Sequence, residues 1–96
     1  MNLSKLLIAS LIKQDIYVKD CEEIPFNVHT IGGIDYFLCF LIAETEKYVV
    51  VAETTMTGTE ELRIIKKDNI DSLEIVYGQL EKMFEKEEHQ YDVMYG

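Results

Sequence analysis

The side chains whose types could carry covalent chemistry are Cys21, Cys39, His29, His89 and Asp35. A thiol nucleophile needs a base within about 3 Å to take its proton. Cys39 and His29 are expected on opposite faces of a hairpin, so they do not form that dyad. Cys39 lies in the apolar run YFLCFLIA (36–43) and reads as a small core residue, and Cys21 as an inert thiol near the surface. As metal ligands Cys21, His29, Cys39 and His89 are 8, 10 and 50 positions apart, which matches no zinc spacing. Glu22-Glu23, Glu60-Glu61 and Glu87-Glu88 could be acid/base pairs, but charge runs of this kind usually form solvated faces. The expectation is a non-enzymatic chain with no catalytic residue, no metal and no cofactor.

Phosphate chemistry fares little better. Gly32-Gly33 has no helix after it to present N–H groups to an anion. Nine Lys plus Arg stand against eighteen Asp plus Glu, a net charge of minus nine over 96 residues. Residues 44–96 hold six basic and thirteen acidic side chains, a net of minus seven, whereas residues 1–43 carry minus two. Phosphate affinity grows with the number of cations engaged, so the balance argues against nucleic-acid binding and for a partner with a basic surface.

The elements that hold these residues follow from periodicity. Leu3, Leu7 and Leu11, with Ile8 and Ile12, recur at four-residue steps and predict an amphipathic helix over 3–14 with Asn2 as N-cap, lying on a sheet. The seven-residue run after Lys5, apolar but for Ser10, is too short for a membrane span, which needs roughly 20 apolar residues, and no cleavage pattern follows it. With only two cysteines and no CxxC, a reduced, cytoplasmic setting is expected.

From Ile24 the period changes to two. Gly32-Gly33 predicts a two-residue type I′ hairpin turn, because both central residues then need positive φ. The resulting register sets His29 against Tyr36, Val28 against Phe37 and Phe26 against Cys39. One face then carries Ile24, Phe26, Val28, Phe37, Cys39 and Leu41, and the other His29, Tyr36, Leu38 and Phe40. Residues 36–43 are apolar on both faces, as in a strand covered on two sides or sealed by a neighbouring subunit. Strands over 48–55 and 62–66, with a loop at 56–61, complete an antiparallel meander.

Beyond Ile70 two patterns compete. Asp71 and Glu74 form a capping-box variant, and Leu73, Val76, Tyr77, Leu80, Met83 and Phe84 follow helical spacing, which favours a long helix from Asp71. Leu73, Ile75 and Tyr77 also alternate, and Gly78 costs about 1 kcal/mol inside a helix. From Gln79 to Glu88 both patterns give helix. The fold class expected is α+β: a β-meander of four to five strands with an N-terminal and a C-terminal helix packed on it, in one domain spanning 1–96.

Residues 38–73 resemble the strand pattern of Sm-like small β-barrels, in which an N-terminal helix precedes a strongly bent antiparallel sheet. Ala43-Glu44 and Tyr48-Val49-Val50-Val51 fall where that family has an Asp, and an Asn followed by apolar residues. Ile65-Lys66-Lys67-Asp68-Asn69-Ile70 falls where it has Ile or Val, Arg-Gly or Lys-His, then Ile. The resemblance implies an oligomeric ring binding RNA or protein, with Tyr48, Lys66 and Lys67 as the nucleic-acid contacts.

The residues by themselves point first to a small acidic interaction protein of inhibitor, adaptor or chaperone type, binding a protein partner through its C-terminal half. Glu74, Glu81, Glu85 and Glu88 form the expected acidic helix face. Such a row could also imitate phosphates and inhibit a DNA- or RNA-binding protein. Homo-oligomerisation would cover the two-sided apolar strand.

Overall fold

A computed structural model describes residues 2–18 and 20–85. Helix α1 (Leu3–Ile12) leads through a 3-10 turn (Cys21–Glu23) into β1 (Phe26–Thr30), β2 (Asp35–Glu44), β3 (Tyr48–Thr54) and β4 (Glu60–Lys66). A second 3-10 turn (Lys67–Asn69) leads to β5 (Ile70–Ile75), and helix α2 follows over residues 77–85. The strands form one antiparallel sheet in the order β4-β3-β2-β1-β5. Leu3, Leu7 and Leu11 of α1 and Leu80 of α2 join Phe26, Val28, Cys39, Leu41, Val49, Val51 and Ile65 in one core, so both helices pack on the same side of the sheet. This is the α+β architecture the periodicities predict. No helix among the described residues is long and apolar enough to cross a membrane.

Both ends of α1 are closed by specific partners. The Asn2 side chain accepts from the Lys5 N–H at 3.1 Å, the N-cap expected of it. The orphan N–H groups of Leu3 and Ser4 donate instead to the Glu44 carboxylate, at 2.6 and 3.2 Å. At the other end Asp15 takes a left-handed φ of 58°, Asp15 N–H donates to Ile12 O and Ile16 N–H to Leu11 O. That pattern is a Schellman closure, with Ile16 returning to the core beside Leu11.

The β1–β2 connection differs from the expected turn. Only Gly33 has positive φ, at 86°, and the chain turns through Ile31–Ile34 rather than through two glycines. The Thr30 hydroxyl, buried, accepts from Ile34 N–H and donates to Ile34 O, and Thr30 O accepts from Gly33 N–H. The wider loop moves the first pairs by one step, to His29 with Asp35 and Val28 with Tyr36. A bulge then restores the expected Phe26–Cys39 pair.

The bulge centres on Leu38, which sits at φ 52°. Its N–H donates to Asn27 Oδ1 at 2.9 Å, and the N–H of Phe37 donates to Glu53 Oε2 at 3.1 Å. Two polar side chains thus replace the ladder bonds that the extra residue removes. One consequence corrects the expected faces: Phe37 is turned to the outside at 55% exposure, and Tyr36 packs against the core in its place. A second irregularity between Leu41 and Ala43 bends β2 again. The 3-10 turn Lys67–Asn69 bridges both ends of the bent strand, Lys67 N–H donating to Lys47 O and Asn69 O accepting from Ile31 N–H.

The second correction concerns residues 70–75, which form a strand and not the first turns of a long helix. β1 would otherwise be an open edge, and β5 fills it, with Leu73 opposite Val28 and Ile75 opposite Phe26. Tertiary pairing overrides the local capping signal of Asp71 and Glu74. The helix starts at 77, its first bond running from Leu80 N–H to Val76 O, so Gly78 falls in the first turn where it costs least. Glu88, His89 and the tail through Gly96 lie outside the described residues.

Candidate functional site

Two surfaces gather the residues the sequence singles out. The first is the end of the sheet where the β2–β3 turn meets the 3-10 turn after β4. Thr45 N–H donates to Tyr48 O at 2.8 Å and Tyr48 N–H to Thr45 Oγ1 at 3.0 Å, a hydroxyl-closed turn that fixes the start of β3. Tyr48 and Lys66 are direct cross-strand partners, both exposed on the face away from the helices. Lys67, the third residue of that set, turns the other way.

The Lys67 ammonium lies 2.7 Å from Glu44 Oε2, with the two side chains only 9% and 14% exposed. Glu44 therefore binds three things at once: a lysine from the 3-10 turn and the first two N–H groups of α1. Burial by itself would raise its carboxyl, but the hydrogen bonds from Lys67, Leu3 and Ser4 outweigh it and hold the group below the usual carboxylate range. Asn2, Ser4, Glu44, Thr45, Glu46 and Lys67 line a shallow depression at this junction. Alternation along β2 from Cys39 and Leu41 would put Glu44 on the outer face; the irregularity between Leu41 and Ala43 is what sets it opposite Val49 on the core side.

The second surface is the outer face of β2, β3 and β4. Cross-strand pairing lines up Phe40, Ala52 and Leu62 in one row and Ala43, Val50 and Ile64 in the next. Leu62 and Ile64 at the β4 end are 67% and 72% exposed. Tyr48 and Lys66 border this surface at one end and Glu60 at the other. Large exposed apolar residues grouped on one face, with a charged border, are the usual signature of an association site. The two-sided apolar character of residues 36–43 resolves accordingly, Cys39 and Leu41 facing the core and Phe37 and Ile42 exposed.

The remaining candidates are placed as follows. Cys39 is fully buried and its thiol is pushed up to about 12 by burial and by the Glu53 charge, the state of an inert core thiol. His29 Nδ1 lies 3.3 Å from Asp35 Oδ1 on the outer face, and its ring meets Phe37 edge-on with centroids 6.4 Å apart. Cys21 is half-buried against the core. Among the described residues no three His, Cys, Asp or Glu side chains come together as a metal site would need.

The acidic row is divided. Glu74 stands on β5 and accepts from Asn27 Nδ2 at 2.9 Å, whereas Glu81 and Glu85 are exposed one turn apart on α2. They do not form a single helix face with Glu74. No protein-family model, curated protein or solved structure matches the chain.

Proposed function

We propose that this protein is a non-enzymatic interaction module that binds a protein partner. The outer face of β2–β4 is its contact surface, and the acidic C-terminal half selects partners with a basic surface. The observation that carries the proposal is the β4 end of the two apolar rows, Leu62 and Ile64, which the described residues leave exposed while both helices pack on the opposite face. Apolar area of this kind supplies affinity, and the net charge of minus nine supplies encounter rate and selectivity. A pull-down from native lysate at low and raised salt, repeated with Leu62→Asp, tests it. One partner that weakens with salt and is lost with the variant is expected. Retention unaffected by both changes would defeat the proposal.

A second reading, the Sm-like ring, is favoured by a separate observation. Tyr48 and Lys66, eighteen residues apart, become cross-strand partners on one exposed end of the sheet. The bends in β2 and the helix preceding the sheet also agree with that family's architecture. Lys67 contributes there by holding Glu44 and the 3-10 turn in place and not by presenting its ammonium outward. Static light scattering giving the mass of a ring, with weak RNA retention lost in Lys66→Ala, would support this reading. A monomer or dimer would remove it.

A further inference from the structure

β4 ends the sheet, and its outer-face residues Glu60, Leu62, Ile64 and Lys66 are antisymmetric in charge about Arg63. We propose that two copies of the chain associate through β4, antiparallel to itself about a two-fold axis through Arg63 and perpendicular to the sheet, so that two sheets become one of ten strands. It draws on the same exposed Leu62 and Ile64 as the protein-binding reading above but requires no foreign partner.

The symmetry fixes the pairs. An axis perpendicular to the sheet keeps each residue on its own face, so only residues an even number apart can meet. Centred on Arg63, Glu60 lies opposite Lys66 of the second copy, Leu62 opposite Ile64, Ile64 opposite Leu62 and Lys66 opposite Glu60. All seven residues of the strand are used. The outer face then reads charge, apolar, apolar, charge, with opposite signs meeting at both ends. The four apolar side chains that meet at the middle are the ones left 67% and 72% exposed in one chain. Centring on Leu62 or on Ile64 pairs only five residues of β4 and sets Glu60 against Ile64, or Leu62 against Lys66.

On the opposite face the same axis brings Arg63 against Arg63 and Glu61 against Ile65, so the match that favours this register is that of the outer face and of the full strand length. Each guanidinium already holds Glu53 Oε1 at 3.2 Å and Glu61 Oε2 at 2.6 Å, so the two meet as neutralised groups. The other end of the sheet is a poorer match for β4. The outer-face positions of β5 are Ser72 and Glu74, paired across β1 with His29 and Asn27. Joining β4 to β5 of another copy would leave Leu62 and Ile64 opposite polar side chains. Nothing in β4 obstructs its open edge: the strand contains no proline, and its flanking charges are those that complement each other in the self-pair.

Sedimentation equilibrium on the full chain from micromolar to near-millimolar concentration tests the proposal. The wild type should show a concentration-dependent rise to twice the 11.2 kDa chain mass. Ile64→Lys, at an exposed site, should keep the wild-type circular dichroism and weaken dimerisation at least about tenfold. Lys66→Glu should weaken it by sign clash with Glu60, and Glu60→Lys with Lys66→Glu should restore it to within about threefold of wild type. A wild type that stays monomeric, a mass beyond the dimer as in a ring, or a double charge variant as weak as the single one would overturn it. A dimer that fails to form leaves partner capture by the outer face to be judged by its own pull-down.

Discussion

Ile64 and Ile65 are neighbours of the same type on the same strand, yet one is 72% exposed and the other 3%. Ile65 points into the core with Val49, its cross-strand partner, and Ile64 stands on the bare side opposite Val50. The same contrast holds for the two lysines that follow β4's apolar pair. Lys66 is exposed beside Tyr48, and Lys67 is drawn inward to Glu44. What separates them is which side of the sheet the two helices cover. On that side a side chain is buried in the core, and on the other Leu62 and Ile64 at the β4 end stay exposed.

Four substitutions would sharpen or break this contrast. Ile65→Ala should cost about 3.5 kcal/mol of unfolding free energy in urea, since it removes buried methyl groups and leaves a cavity. Lys67→Met should cost about 3 kcal/mol, because it leaves the Glu44 carboxylate largely out of water without its cation. Asn27→Ala should cost about 1.5 kcal/mol by orphaning the Leu38 N–H at the bulge. Ile64→Ala should move unfolding, at concentrations where the chain is monomeric, by less than about 0.5 kcal/mol. Equal losses for Ile64 and Ile65 would show that the outer face is covered after all.

Acid unfolding reports on the covered side as well. The ionised form of Glu44 is the one the fold stabilises, so its folded carboxyl titrates below the ordinary value of 4.5. Its contribution is therefore complete above that pH and is lost as the pH falls through the lower folded value. Wild type should lose stability more steeply than Glu44→Gln below pH 4.5, measured by urea unfolding across the acid range. Parallel curves would mean that Glu44 is not held by Lys67 and the α1 N-terminus in solution.

Much of the fold was legible because it rests on local periodicity. Leu3, Leu7 and Leu11 at four-residue steps specify the buried side of α1, Asn2 its cap, and Cys39 its place in the core. The β1–β2 register was legible only at Phe26 and Cys39, because Gly32-Gly33 signals a tight turn and Thr30 imposes a wider one through its own hydroxyl. Of the candidate residues, Tyr48 and Lys66 emerge as partners, Glu74 parts from Glu81 and Glu85, and Glu44 gains a role that its sequence neighbours do not suggest. Its partners Leu3 and Ser4 lie 41 and 40 residues away.

The sequence by itself determined the class of the protein, its charge and the excess of apolar residues over what one thin sheet can hide. These are sums and short-range patterns, and every residue contributes to them wherever it ends up. Only the tertiary structure decided that residues 70–75 are a strand, because the open side of β1 offered more pairing and burial there than a capping box could. It alone decided which face stays bare, because that depends on where α1 and α2 settle, through contacts between residues distant in the chain.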